Sequence, residues 1–289
     1  MLNACTLAGN TAYIGGGAFD STLNNCLVTG NSASYGGGAA SCTLNNCTVV
    51  SNSAKLFGGG TGYSPSTLNN CIVYYNSAPN GPNHQGCSTI RYSCTTPLPA
   101  GMGNITNEPL FLDLAGGDLR LQSNSPCINS GYNLYAPAGP DLAGNPRIAG
   151  GTVDIGAYEL PTPASVISYA WLQRHGLATD GSADLRDPDG DGSNDWQEWM
   201  ARTDPGDAGS VLRMLATSIT ASGTSVPWQS VNGTIYFLQR STNLSSRPAF
   251  TTVQWDIVGQ PGTTTYTDTE AFGPGSFFYR VRVQPGWGE

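Results

Sequence analysis

The feature that most constrains this chain is a tetrapeptide that returns at almost fixed intervals. L-N-A-C begins at Leu2, and L-N-N-C begins at Leu23, Leu44 and Leu68, so the intervals are 21, 21 and 24 residues. A degenerate fifth copy starts at Ile90 (IRYSC). Three more columns keep the same register: Cys5, Cys26, Cys47 and Cys71; Asn10, Asn31, Asn52 and Asn76; and the glycine triplets 15–17, 36–38 and 58–60. A fixed period carried by several columns signals stacked repeats. The length of the period chooses among them. An α-solenoid unit needs more than about 30 residues, and the leucine-rich pattern L-x-x-L-x-L is absent. Each unit instead reads as a strand (LNNCTVV), then N-S-A, then a glycine corner, then a second short strand. The reading is one three-faced coil of a right-handed parallel β-helix per repeat, with coils roughly 4.8 Å apart and four of them making a rod of about 20 Å. Leucine and cysteine should point inward, asparagine should form a side-chain ladder, and glycine should supply corners of positive φ.

Eight cysteines would, in a secreted protein, raise the question of four disulfides. In-register cysteines on adjacent coils have parallel side chains, and one coil spacing exceeds the usual Cβ–Cβ separation of a bridge. The column therefore reads as packing, with thiols acting as small hydrophobes. Cys94 and Cys127 fall outside the register, and either staple the end of the helix to the segment after it or stay reduced.

Composition narrows the function. Charged residues make up 11% of the chain, and 38 glycines stand in their place. The net charge of −8 argues against nucleic acid or anionic membrane as a partner, since both would repel the chain. Nine of the twenty carboxylates lie between Asp180 and Asp207, so the negative charge is concentrated. No apolar run is long enough to span a bilayer. Residues 1–20 lack the basic and apolar regions of a signal peptide. The opening inside a repeat suggests a fragment whose export signal and further coils lie upstream.

Parallel β-helices also host polysaccharide lyases and hydrolases, which need clustered carboxylates. Residues 1–95 hold Asp20, Lys55, Arg91 and His84, and no glutamate. The three charges fall in different coils at different offsets, so no face gathers two acids. As it stands the stretch lacks acid–base glycan chemistry, although upstream coils could carry it. The glycine triplets lack the G-K-[ST] and strand–loop–helix setting of a phosphate loop.

Beyond residue 96 the repeat decays. N-E-P-L-F-L-D, G-D-L-R-L, S-P-C-I-N-S-G, D-L-A-G-N-P-R and V-D-I-G-A-Y-E come in that order. Over about residues 104–159 this run resembles the C-terminal part of bacterial "choice-of-anchor Q" β-helix proteins. The preceding coils are similar to the repeats of polymorphic outer-membrane autotransporter-type proteins. Both resemblances imply export and an extracellular or cell-surface life, and neither implies a defined catalytic activity. Residues 97–160 should cap the helix, because an open end exposes strand edges. Asp141, Asn145, Arg147, Asp154 and Glu159 supply charge and polarity there, with Arg147 paired to Asp154 or Glu159.

A proline-rich joint (160–165) and a short apolar helix precede the run D-P-D-G-D-G-S-N-D-W-Q-E. Against the twelve-residue Ca²⁺ loop, Asp187, Asp189 and Asp191 take the first, third and fifth places, and Gly192 the sixth. Ser193 comes at the seventh with its carbonyl, Asp195 at the ninth and Glu198 at the twelfth. Ca²⁺ takes roughly six to eight oxygens, several of them anionic, and the turn needs glycine; each requirement falls at its place. Five carboxylates in twelve residues repel one another unless a cation is present. The polar stretch 178–186 and Asn194 at a normally apolar place make this a lone loop, resembling thrombospondin type 3 or dockerin repeats, that stiffens a linker. Asp204 is a further candidate ligand. Trp196 and Trp199 should pack the exit helix, with a sugar-stacking platform as the alternative.

From Val211 the pattern alternates through at least five short strands, as in a small β-sandwich. Y-F-L-Q-R-S-T-N-L, T-Y-T-D-T and F-F-Y-R-V-R-V resemble fibronectin-type-III-like modules of bacterial exported proteins. Trp228, Trp255 and Trp287 are read as core before glycan contacts. The expected organisation is all-β: coils over 1–96, a cap over 97–160, a helical Ca²⁺-binding linker over 161–210 and a sandwich over 211–289. The expected role is a non-enzymatic surface or adhesion protein, with a surface polysaccharide or cell-envelope component as partner. A fragment of a polysaccharide-active enzyme, or a glycan-binding protein, is the alternative.

Overall fold

In the computed structural model the repeat winds into coils whose like residues pair in parallel, Leu2 with Leu23, Leu23 with Leu44, Leu44 with Leu68, and Leu68 with Ile90. Residues 1–63, 65–87, 89–271 and 275–283 are described, so Trp287 lies outside the described residues. One ladder runs through Leu2–Asn3, Thr22–Asn24, Thr43–Asn45, Thr67–Asn69 and Thr89–Arg91. A second runs through Thr6–Ala8, Leu27–Thr29, Thr48–Val50, Ile72–Tyr74 and Cys94–Thr95. Two shorter ladders join Ser32–Tyr35 to Ser53–Phe57, and Ala18–Phe19 to Ala39–Ala40 and Thr61–Gly62.

A complete coil thus has four strand segments where three faces were expected. The cause is four left-handed corners per turn. In the second coil these are Asn25, Gly30, Gly36 and Ser41, with φ of 51°, 64°, 61° and 56°. Each reverses the sense of the backbone for one residue, which asparagine and glycine tolerate best. The glycine triplets do a second thing. A Cβ on Gly37 would collide with the backbone carbonyls of Ser53 and Gly59 in the next coil, so side chains are excluded where the coils approach.

Inside, Leu23, Leu44, Leu68, Cys26, Cys47 and Cys71 are fully buried. Each thiol of the last three donates to the carbonyl of the leucine one coil back, at 3.7 Å for Leu2 and 3.4 Å for Leu23 and Leu44. Burial pushes the Cys47 thiol well above its ordinary pKa, so it stays protonated. The second buried column is amide. Asn31 donates through both its backbone N–H and Nδ2 to Asn52 Oδ1, each at 3.0 Å. Asn52 does the same to Asn76, and its Nδ2 also reaches the carbonyls of Val28 and Val50 at 2.9 Å. The ladder ends at Asn83, whose Nδ2 donates to the Thr96 carbonyl.

Residues 97–160 divide into two tasks where a single end cap was expected. Residues 102–105 close the coil end: the Met102 carbonyl accepts from Tyr92 N, Ile105 bridges to Cys94, and Asn104 Oδ1 accepts from Ser93 N at 3.0 Å. Residues 132–157 run instead along the flank of the coils. Asn70 Oδ1 accepts from Tyr132 N at 2.8 Å, Asn46 Nδ2 donates to the Asp154 carbonyl at 2.9 Å, and Asn25 Nδ2 donates to the Pro140 carbonyl at 3.0 Å. The second asparagine of L-N-N-C sits at a left-handed corner, so its amide projects outward and finds partners in this strap.

Arg147 pairs with Glu159 at 2.7 Å, and their side chains are 4% and 0% exposed. Asp154, the other expected partner, accepts instead from Asn129 N and Leu160 N. Burial pushes both the Asp154 and the Glu159 carboxyl above their usual range. The staple considered between Cys94 and Cys127 is not formed. Both are buried free thiols, Cys94 donating to the Asn107 carbonyl at 3.1 Å, and hydrogen bonds tie cap to coil in its place.

The first compact unit continues through residue 183, and the second begins at Asp184, so the expected linker 161–210 is divided between them. Helix α1, Tyr169–Arg174, belongs to the first. Its N-cap Ser168 accepts from Trp171 N and shares a 2.8 Å hydroxyl bond with Ser130, and Tyr169 N donates to the Ile128 carbonyl. In the second unit, Ser218–Thr220, Gly223–Ser230 and Gly262–Asp268 form one antiparallel sheet, and Ile235–Ser241, Thr251–Val258 and Phe278–Val283 another. Val226, Trp228, Tyr236 and Leu238 are fully buried, with the Trp228 ring edge-on to Tyr236 at 5.9 Å. Arg240 bridges to Asp268 at 2.7 Å. The chain is all-β in class, and among the described residues no helix is long and apolar enough to cross a membrane.

Replacing Asn52 by alanine strands the Asn31 amide and the Val28 and Val50 carbonyls, and should lower the stability of the first unit by about 3 kcal/mol. The outer-column change Asn24→Ala should cost under about 1 kcal/mol, and urea unfolding followed by tyrosine fluorescence reads both. Arg147→Ala leaves Glu159 buried without its cation and should cost roughly 3–5 kcal/mol in the same assay.

Candidate metal centre

The acidic loop is held by hydrogen bonds of its own. Each early aspartate spends at least one oxygen on its own turn. Asp187 accepts from Gly190 N at 2.8 Å and Gly192 N at 3.0 Å, Asp189 Oδ1 accepts from Asp191 N at 3.2 Å, and Asp191 Oδ1 accepts from Ser193 N at 2.6 Å. Gly190 and Gly192 hold φ of 77° and 96°, a region closed to most side chains. The turns draw carboxylate oxygens of Asp187, Asp189 and Asp191 within 4.8 Å of one another.

Helix α2, Asp195–Ala201, supplies the rest. Asn194 and Gln197 form a reciprocal capping box, which fixes where the helix starts. Asp195 and Glu198 then lie three residues apart on one helix face, and both are fully buried. The entry is pinned as well, since Asp195 N donates to the Arg186 carbonyl at 2.8 Å and Trp196 N to the Asp184 carbonyl at 3.0 Å.

The hydrogen bonds leave a specific deficit. Among the described residues, ten buried side-chain polar atoms have no partner, and five of them are Asp189 Oδ2, Asp191 Oδ2, both Asp195 oxygens and Glu198 Oε2. Native structures satisfy nearly all buried polar atoms, and an unpartnered buried carboxylate is the costliest exception. Burial, then the charges of Asp189 and Asp191, push the Glu198 carboxyl up to about 7. Burial also raises Asp195, with Asp184, Asp187 and Asp189 adding to it against Arg186. Five carboxylates thus share one electrostatic field with oxygens left open, a donor set suited to a hard divalent cation and unsuited to soft metals.

The remaining expectations resolve individually. Ser193 holds the seventh place, half-buried between Gly192 and Asn194. Asp204 caps its own turn through Gly206 N at 3.1 Å. Sequence reasoning did not single out Asp184, whose charge acts on Asp195, or Thr203, whose hydroxyl donates to Glu198 Oε1 at 3.4 Å; neither falls at a ligand spacing. Trp199 is buried and Trp196 is 39% exposed, so only the first packs as core. Trp228 is core, whereas Trp255 is exposed and lies on Phe237 with ring centroids 5.0 Å apart. Of the sparse charges in the coils, Arg91 donates to Tyr135 Oη at 3.1 Å, and His84 Nε2 lies 3.1 Å from the Pro97 carbonyl.

Comparison of the chain with protein-family models, with curated proteins and with solved structures finds no match.

The raised carboxyl has a measurable sign. A carboxyl whose folded pKa exceeds its unfolded value penalises the fold once ionised. For Glu198 the penalty is absent below about 4.5 and complete above about 7. In metal-free buffer the second unit should therefore melt at a lower temperature at pH 8 than at pH 5.5, and scanning calorimetry at the two pH values checks the order.

Proposed function

We propose that the chain is a non-enzymatic extracellular or cell-surface scaffold with an adhesive role, and that a structural Ca²⁺ holds the loop from Asp187 to Glu198. The observation that carries the metal reading is the set of buried, unpartnered oxygens on Asp189, Asp191, Asp195 and Glu198. They fall on the third, fifth, ninth and twelfth places of a Ca²⁺ loop. Asp187 completes the acidic set, and the Ser193 carbonyl would supply the neutral oxygen. A bound cation would relieve the repulsion among these carboxylates and anchor the start of α2.

Export and surface location rest on the sequence resemblance to choice-of-anchor Q and autotransporter-type repeats. A scaffold role is supported by coils whose only acid, through residue 83, is Asp20. The likeness of the C-terminal strands to fibronectin-type-III modules is supported by their division between two three-stranded antiparallel sheets.

Titration calorimetry of the whole chain with Ca²⁺ should give one binding event, lost in Asp191→Ala. At free Ca²⁺ about a hundredfold above Kd the ion should add about 2.7 kcal/mol of stability, seen as a rise in the melting temperature of the second unit. An unchanged melting curve with and without chelator refutes the calcium reading.

A further inference from the structure

The two carboxylate oxygens of Glu198 are not equivalent. Oε2 is buried without a partner, whereas Oε1 accepts from the Thr203 hydroxyl at 3.4 Å. Glu198 is fully buried and Thr203 is 6% exposed, so bulk water stands in for neither. Asp189 and Asp191 are divided in the same way, each with Oδ1 bonded inside the loop and Oδ2 open. Their donors are main-chain N–H groups, fixed by the turn. At Glu198 the donor is a side chain, and a side chain can be chosen.

The place of Thr203 comes from how α2 ends. The C-cap Arg202 holds a left-handed φ of 61°, and its N–H donates to the Glu198 and Trp199 carbonyls. Thr203 N then donates to the Glu198 carbonyl at 3.0 Å. Main-chain bonds of this kind close a helix by themselves, so the hydroxyl is not needed to end it. The next turn is closed separately, by Asp204 N on Ser210 Oγ at 2.9 Å and Asp207 N on the Asp204 carbonyl at 3.1 Å. The backbone on both sides of Thr203 is thereby fixed, and its hydroxyl is spent on the carboxylate.

Ca²⁺ and Mg²⁺ ask different things of this residue. Ca²⁺ takes roughly six to eight oxygens in flexible geometry and uses both oxygens of a glutamate at the twelfth place, whereas Mg²⁺ demands near-octahedral coordination. A hydrogen bond to one oxygen of a ligating carboxylate orients the group and tunes what it offers. We propose that Thr203 is a positioning residue that sets the ion selectivity of the loop. Its hydroxyl holds Oε1, Glu198 offers Oε2 alone, and the site takes Mg²⁺ as well as Ca²⁺. A bond of 3.4 Å is long for a hydroxyl donor, so Thr203 tilts the choice between ions without shutting out Ca²⁺. This rests on the calcium reading above and adds to it the range of ions accepted.

Calorimetric titration of the full chain with Ca²⁺ and, separately, with Mg²⁺ tests it. The unaltered chain should bind both ions, and Asp191→Ala should lose both. Thr203→Val replaces the hydroxyl by a methyl group and should raise the ratio of the Mg²⁺ Kd to the Ca²⁺ Kd by about tenfold. Thr203→Ser keeps the hydroxyl and should leave the ratio where it is in the unaltered chain. A role confined to packing would weaken both ions alike and not move the ratio. An unmoved ratio in Thr203→Val, or an equal shift in Thr203→Ser, overturns the proposal and leaves the calcium reading standing. So does an unaltered chain that binds Ca²⁺ and ignores millimolar Mg²⁺, a result that needs no variant to fold. A chain that binds no Ca²⁺ overturns both.

Discussion

A primary amide has two donors and an acceptor oxygen with two lone pairs, and the buried asparagine column uses that capacity to join coils. Each Oδ1 of Asn31, Asn52 and Asn76 receives the backbone N–H and the Nδ2 of the preceding coil. The carbonyls around each corner take the remaining Nδ2 hydrogens. A slip of one residue between coils would leave these groups unsatisfied in an apolar interior. Register is thereby set by polar atoms, while leucine and cysteine fill volume. The four-cornered coil, the glycine approaches and the regular outer columns all follow from that register.

The same arithmetic of donors and acceptors explains the second unit's acidic loop by its failure. There the turns and the capping box consume backbone groups neatly and leave carboxylate oxygens over. Where the asparagine column is closed within the chain, the loop is closed only if something else supplies positive charge. One region is self-sufficient, and the other keeps buried carboxylate oxygens without a partner.

The coils and the loop were legible in the sequence for a shared reason: both encode position by spacing. Leucine, cysteine and asparagine at a constant interval state the register outright, and Asp187, Asp189, Asp191, Asp195 and Glu198 state an order of carboxylates. What the spacing did not state was the path between marked positions. Ser41 and Tyr63 occupy left-handed corners, although neither residue advertises one, so the fourth side of the coil was hidden. The strap along the flank was hidden too. Its contacts join residues more than 60 positions apart, and no local pattern announces which corner amides will be met from outside. The division near Asp184 depends on the docking of α1 through Ser168 and Tyr169, again a matter of tertiary contact.

That strap has a consequence for how such a protein could change. Repeat architectures commonly lengthen by duplication of a unit, because each unit touches only its neighbours. Here Pro140, Asp154 and Tyr132 grip Asn25, Asn46 and Asn70 on three successive coils, so the strap acts as a ruler laid across them. A coil duplicated within that span would displace one grip by about 4.8 Å and break the match, whereas one added outside it would not be measured. Growth of the rod by duplication is therefore confined to coils that the strap does not span.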